Sequence, residues 1–83
     1  MSLSDRILKE LQPLYRRVLE KPDLDVTREL SAHDVDSWDS LNHITLIVEI
    51  EMLSGLEFVT DELIDLKNVG DFVDIMIEKG YAP

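Results

Sequence analysis

Three features of this 83-residue chain predict an all-α fold, a small bundle of three principal helices and one short helix. Apolar residues recur in steps of three and four over three long stretches, the spacing of one helix face. No segment alternates apolar and polar residues as a half-buried strand does. Serine, asparagine and glycine fall at the ends of the periodic stretches, where helices start and stop. A chain of this length buries one modest core, so residues 1–83 are expected to form a single domain, with residues 1–3 disordered or extraneous to it.

The first stretch carries Leu3, Ile7, Leu8, Leu11, Leu14, Tyr15, Val18 and Leu19. Ser4 is the expected N-cap, and Asp5 suits the positive end of the helix dipole. Pro13 interrupts the pattern: it removes one hydrogen bond and crowds the preceding turn. The helix therefore either kinks there or divides into two shorter pieces. Residues 21–37 contain Pro22, several aspartates, Thr27 and Ser31 with little helical period, which reads as a long loop with a turn of helix around Arg28 to Leu30. Leu24, Val26 and Leu30 are its expected anchors. A loop of this length inside a small domain is uncommon and often functional.

A second helix opens at Asp39 or Ser40, runs to about Leu53 and stops near Ser54-Gly55. A short segment follows Thr60, with Asp61 and Glu62 in its first turn and Leu63, Ile64 and Leu66 as apolar contacts. The last helix opens at Asn68, carries Val69, Phe72, Val73, Met76 and Ile77, and ends at Gly80.

Composition narrows the function. The absence of cysteine rules out a disulfide framework and a thiolate metal site and fits a reducing compartment. No signal peptide is evident, and no apolar run approaches the roughly 20 residues that span a bilayer. The cytoplasm is the expected location. Acid exceeds base, 18 residues to 8, for a net charge of −10. The excess lies after Lys21, where only Arg28, Lys67 and Lys79 are basic. Such a field disfavours nucleic acid and anionic membrane and attracts basic protein surfaces, although the same excess also serves simple solubility.

The second helix has two apolar faces. Leu46, Ile47, Ile50 and Leu53 fall on one side at about 100° per residue, and Leu41, Ile44, Val48 and Met52 fall nearly opposite. A surface helix needs only one stripe to face a core. Either the second stripe lies beneath the long loop or the short helix, or it is an exposed docking face bordered by Glu49 and Glu51. In the latter case it suits a partner with an apolar groove and a basic rim.

Ser40 stands where the acidic loop meets this helix, in Asp36-Ser37-Trp38-Asp39-Ser40-Leu41-Asn42-His43-Ile44. A serine here is ordinarily a cap, while a helix N-terminus also tolerates an attached phosphate. Asp39-Ser40-Leu41 resembles the attachment motif of acyl carrier proteins. The similarity extends over nearly the whole chain: helical segment, long loop, motif, Leu46-Ile47-Val48-Glu49-Ile50-Glu51, short acidic segment and final helix follow in that family's order and spacing. The wording Trp38-Asp39-Ser40-Leu41-Asn42 resembles freestanding bacterial carriers found beside specialised pathways.

The resemblance implies a carrier rather than an enzyme. It implies a 4'-phosphopantetheine arm moved from coenzyme A to Ser40 by a phosphopantetheinyl transferase, with Asp39 helping the transferase and its magnesium engage the site. It implies that an acyl or aminoacyl thioester on the arm is presented to loading and using enzymes by a monomeric carrier. Leu41 matches the apolar residue that docks partners, Ile44 and Val48 match positions lining the helix near the arm, and Glu51 matches an acid that meets basic partner surfaces; Glu49 and Met52 complete the expected docking face. The chain also departs from the family pattern. Ser37-Trp38 replaces a small residue with a nearby glycine, Thr45 and Met52 stand where many members carry acid, and Ser54 stands near a usual large apolar position. The second helix is thus less acidic and more apolar than in fatty acid synthesis carriers, which favours a dedicated set of partners.

Other chemistries fit poorly. Ser40 and His43 are one turn apart, but no Gly-x-Ser-x-Gly elbow surrounds the serine. An EF-hand beginning at Asp34 would place Asp39 where glycine is needed and Thr45 where glutamate is needed. His43 is expected to pack or cap beside the core, His33 to be solvated, and Trp38 to anchor the loop against the helix start. An unmodified helical interaction module would use the same apolar stripe and is the alternative.

Overall fold

The structure is a computed structural model and describes residues 2–83. It contains α1 (Leu3–Val18), α2 (Ser40–Ser54), α3 (Thr60–Leu63) and α4 (Val69–Glu78), the predicted three principal helices and one short helix. No strand occurs among the described residues; a single bridge pairs Ser31 with Asn68.

α1 begins two residues earlier than its sequence signals suggest. The Ser2 side chain accepts from the Asp5 amide at 3.1 Å and is the N-cap. Ser4 is instead inside the helix, where its hydroxyl accepts from Arg28 at 2.9 Å. Of the three leading residues expected outside the fold, Met1 lies outside the described residues, whereas Ser2 and Leu3 belong to the helix start. The helix runs unbroken through Pro13, so the two-piece alternative does not hold. Pro13 and Lys9 are both exposed, so water reaches the carbonyl that loses its partner.

Ile7, Leu11, Leu14 and Tyr15 form the buried face of α1 and meet Leu46 and Ile50 of α2 and Val69, Phe72, Val73 and Met76 of α4. Tyr15 packs edge-on against both Trp38 and Phe72. Its buried hydroxyl has no partner among the described residues, and burial pushes its pKa well above the usual phenol value. At the end of α1 the Lys21 amide reaches Arg16 O and the Glu20 amide reaches Arg17 O, the paired bonds of a Schellman motif. Glu20 accordingly sits at φ 56°, a left-handed position that usually takes glycine.

The loop from Leu19 to Asp39 is ordered by long-range bonds rather than by local helix. Around Arg28 there is a turn, closed by Leu30 N–H to Thr27 O, and not the predicted turn of helix. The Arg28 guanidinium joins Ser4 of α1 to Asp74 of α4. Its carbonyl accepts from the Gly70 amide at 2.8 Å. A Cβ on Gly70 would stand 3.1 Å from that carbonyl oxygen, so glycine permits the close crossing of loop over helix. Arg16 donates to Leu24 O, and Ser37 donates to Leu19 O. Val26, Val35 and Trp38 fill the core beneath; Leu24 and Leu30 are half-buried.

α2 ends at Gly55, whose φ of 73° is left-handed and whose amide bonds to Glu51 O. α3 follows Val59, whose side chain has no oxygen to cap with; Glu62 supplies the reciprocal half by accepting from the Val59 amide and also pairs with Lys79. Leu66 is buried and Leu63 half-buried, but Ile64, expected as a core contact, is 69% exposed. Asn68 caps α4 as predicted, accepting from Asp71 N–H while Asp71 accepts from the Asn68 amide.

Candidate functional site

The junction at residues 37–44 is held by a closed set of short contacts. Asp39 is extended and its carboxylate accepts from the Asn42 amide at 2.8 Å, which makes it the N-cap of α2. Asn42 in turn donates through its side chain to Ser37 O at 2.7 Å, tying the helix back to the loop. With the cap supplied by Asp39, Ser40 is the first helical residue; it is exposed, and its hydroxyl makes no hydrogen bond to another described residue. The ordinary reason for a serine at a helix start is therefore absent here. Two N–H groups of the first turn, those of Ser40 and Leu41, have no intrahelical acceptor. A hydroxyl at this place lies in the positive field of the helix end, which suits an attached phosphate. The residues present thus fit a phosphodiester at Ser40.

Trp38 is buried and fixes the loop end against α2, as its placement in the sequence suggests. Its indole N–H donates to His43 Nδ1 at 3.0 Å, and the two rings lie edge to edge, 22° from parallel, with 6.1 Å between centroids. His43 also meets Phe72 edge-on. Because Nδ1 accepts a hydrogen bond, the neutral imidazole carries its proton on Nε2. Burial lowers the His43 pKa below its ordinary value. His33 is exposed.

The two stripes of α2 separate in the direction the wheel suggests, with one exception. Leu46 and Ile50 are fully buried and Ile47 is partly so, but Leu53 is 43% exposed, at the edge of an open hollow that it lines with Pro13, Leu14 and Arg17 of α1. The opposite stripe is open: Leu41 is 72%, Ile44 59%, Val48 47% and Met52 75% exposed. Neither the long loop nor α3 covers it. These four residues extend over 11 helical steps, about 16 Å at 1.5 Å per residue.

Glu49 and Glu51, the acids expected to border this stripe, are both engaged within the chain. Glu49 pairs with Arg17 of α1 at 3.1 Å, which lowers the carboxyl pKa and raises that of the guanidinium. Glu51 accepts from the Phe58 amide at 3.0 Å and so closes the segment after Gly55. Thr45, on the same helix, donates to Leu41 O. The exposed stripe itself is therefore uncharged.

The helix start at Asp39-Ser40-Leu41 was legible because three adjacent residues carry it. The Trp38–His43 pair and the Arg17–Glu49 bridge were not read from the sequence. A Trp and a His five residues apart across a helix start are a usable signal for the first; the second joins residues 32 apart and has no local signal.

Comparisons with known proteins agree on the kind of fold. No family model matches the chain. An acyl carrier protein of Coprothermobacter proteolyticus is 28% identical over 78 residues, covering 94% of this chain and 95% of that one. The solution structure of a holo acyl carrier protein from Geobacter metallireducens superposes with a TM-score of 0.81 at 44% identity, over 87% of this chain and 83% of that one. A putative acyl carrier protein from Mycobacterium tuberculosis superposes at 0.74 with 22% identity, over 87% of this chain and 97% of that one, a likeness of fold.

Proposed function

Since the chain belongs to the acyl carrier protein family, whose members are carriers and not enzymes, we propose that Ser40 bears a 4'-phosphopantetheine arm and that the protein presents an acyl or aminoacyl thioester to partner enzymes. The observation that carries this reading is the state of Ser40: an exposed hydroxyl within Asp39-Ser40-Leu41, relieved of capping by Asp39, at the head of an open apolar stripe. A similar chain is described as a holo acyl carrier protein, which supports the same group here. The arm, when attached, supplies the thiol on which cargo rides.

The chain's own residues supply attachment, orientation and recognition. Asp39 holds the helix start rigid and keeps the serine side chain free, and it is the carboxylate nearest in sequence for the magnesium of a phosphopantetheinyl transferase. Leu41, Ile44, Val48 and Met52 form the surface on which the transferase and the loading and using enzymes dock. Glu49 and Glu51 lie at the border of that surface, held by Arg17 and the Phe58 amide, so a basic partner group that approaches there meets carboxylates already engaged. The apolar character of α2, with Thr45 and Met52 in place of acids, supports a dedicated partner set in a specialised biosynthetic pathway. On this reading residues 1–83 act as one monomeric domain in the cytoplasm; no helix among the described residues is long and apolar enough to cross a membrane.

The test is incubation with coenzyme A, magnesium and a broad-specificity phosphopantetheinyl transferase, read as intact mass. The wild type is expected to gain one phosphopantetheine and Ser40→Ala none. Failure of the wild type to react, under conditions that modify a control carrier, would favour the unmodified interaction module.

A further inference from the structure

Met52 stands between two open hollows at the C-terminal end of α2. One, of about 520 Å³, is formed with Pro13, Leu14 and Arg17 of α1 and with Leu53. The other, of about 480 Å³, is formed with Val48 and with Leu56 and Phe58 of the segment that follows the helix. The two share Met52 and no other residue. Each is more than ten times the roughly 30 Å³ of a water-sized molecule, so a small reagent reaches the thioether from either side. At 75% exposure Met52 is the most open residue of the apolar stripe, whereas Met76 is fully buried in the core. The chain has no cysteine to react first. Among the described residues, the sulfur that the folded protein offers an oxidant is therefore that of Met52.

We propose that Met52 is a site of reversible oxidation and that its sulfoxide closes the α2 stripe to partners. The inference rests on the reading of that stripe as the docking surface and adds a chemical control on it. The oxidant is a peroxide. The thioether lone pair takes one peroxide oxygen, the O–O bond breaks, and the proton left on the transferred oxygen joins the departing hydroxide as water. The sulfur gives up two electrons and the peroxide accepts them. The product is a polar side chain in place of an apolar one, and methionine sulfoxide reductases return the thioether. Beneath a partner, the sulfoxide oxygen needs a hydrogen-bond donor that an apolar groove lacks. Arg17 offers one on the carrier itself: it lines the first hollow, donates through Nη1 and Nη2 to Glu49, and retains further N–H groups. Oxidised Met52 is thus drawn toward α1 and away from the stripe.

The test treats the protein without its arm with hydrogen peroxide, removes the peroxide with catalase and maps the peptides by mass. The treated protein is then the substrate of a broad-specificity phosphopantetheinyl transferase with coenzyme A and magnesium. Met52 is expected to gain one oxygen well before Met76 while the far-ultraviolet circular dichroism is unchanged. The transferase KM for the carrier is expected to rise by about fivefold or more with kcat within about twofold, the pattern of lost binding, and to return after treatment with methionine sulfoxide reductase. Met52→Leu is expected to keep its own untreated KM through the same peroxide treatment. Met52→Gln, which places an amide oxygen near the sulfoxide position, is expected to show the raised KM without oxidant. Oxidation of Met76 as fast as Met52 would overturn the proposal. So would an unchanged KM in protein oxidised at Met52, or an equal rise in treated Met52→Leu. Untreated wild type that gains no arm, while a control carrier does, would instead remove the Ser40 reading and the docking consequence with it.

Discussion

Asp39 and Ser40 are adjacent, yet they carry separable duties. Asp39 accepts from the Asn42 amide and the Ser40 hydroxyl bonds to no described residue. Losing an N-cap costs about 1 kcal/mol, or roughly 4–8 °C in Tm for a domain of this size. Asp39→Ala is therefore expected to melt lower by that amount, while Ser40→Ala melts within a degree or two of wild type. Thermal denaturation of both variants checks this, and an equal loss in each would mean that the serine contributes to the cap. His43 makes a second prediction. Its Nδ1 accepts from Trp38 and burial lowers its folded-state pKa, so the unfolded chain takes up the proton first, near the ordinary value of about 6.5. Its contribution is fully present above that pH and declines as pH falls through it toward the lower folded-state value. The stability advantage of wild type over His43→Gln, read as urea midpoints, is expected to shrink between about pH 7.5 and 5.5. Carboxylate effects are common to both proteins and cancel in the comparison. A constant difference would show that His43 titrates alike in both states.

At the scale of elements, the C-terminus of α1 holds a correctable strain. Glu20 occupies the left-handed position of a Schellman motif at φ 56°, which for a residue with a Cβ costs about 1 kcal/mol. Glu20→Gly is expected to raise the urea midpoint at unchanged m-value, and a lowered midpoint would contradict the assignment. The helices themselves were legible because their signals are local. Asn68 and Gly55 mark ends by backbone chemistry that a neighbour cannot supply, and the two stripes of α2 follow from spacing alone. Where two residues could serve, the reading failed: Ser2 and Ser4 both suit a cap, and Ser2 holds it because Ser4 receives Arg28. The long loop was opaque for a related reason. Arg28 orders it by reaching Asp74, 46 residues away, and no local pattern encodes such a bond. Ser40 could be singled out from a contiguous motif, whereas the bond from Ser37 to Leu19 O that fixes the loop before it joins residues 18 apart.

For the whole molecule, charge and burial pull against each other. A net charge of −10 on a chain with a radius of gyration of 11.7 Å imposes self-repulsion on the folded state. The ion pairs Arg17–Glu49, Arg28–Asp74 and Lys79–Glu62 lie at or near the surface, where such pairs contribute little that salt can remove. Screening of the net charge should then dominate: Tm is expected to rise between about 0.02 and 0.5 M sodium chloride, across which the Debye length falls from roughly 20 to 4 Å. A fall in Tm would mean that the pairs outweigh the repulsion. The same arrangement bears on the proposed function. Acid is spread over the surface while the α2 stripe is apolar and its bordering carboxylates are tied to Arg17 and the Phe58 amide, so on that reading long-range attraction and close docking would be carried by different parts of the molecule.

The central claim is that the Ser40 hydroxyl is a point of covalent attachment. The most direct measurement is fragmentation of the proteolytic peptide that spans Ser37 and Ser40, taken from protein treated with coenzyme A, magnesium and a phosphopantetheinyl transferase. The account predicts release of the pantetheine fragment from that peptide, with the modification assigned to Ser40 and Ser37 unmodified. A modification located at Ser37 or on another peptide, or a peptide left unmodified while a control carrier reacts, would contradict it.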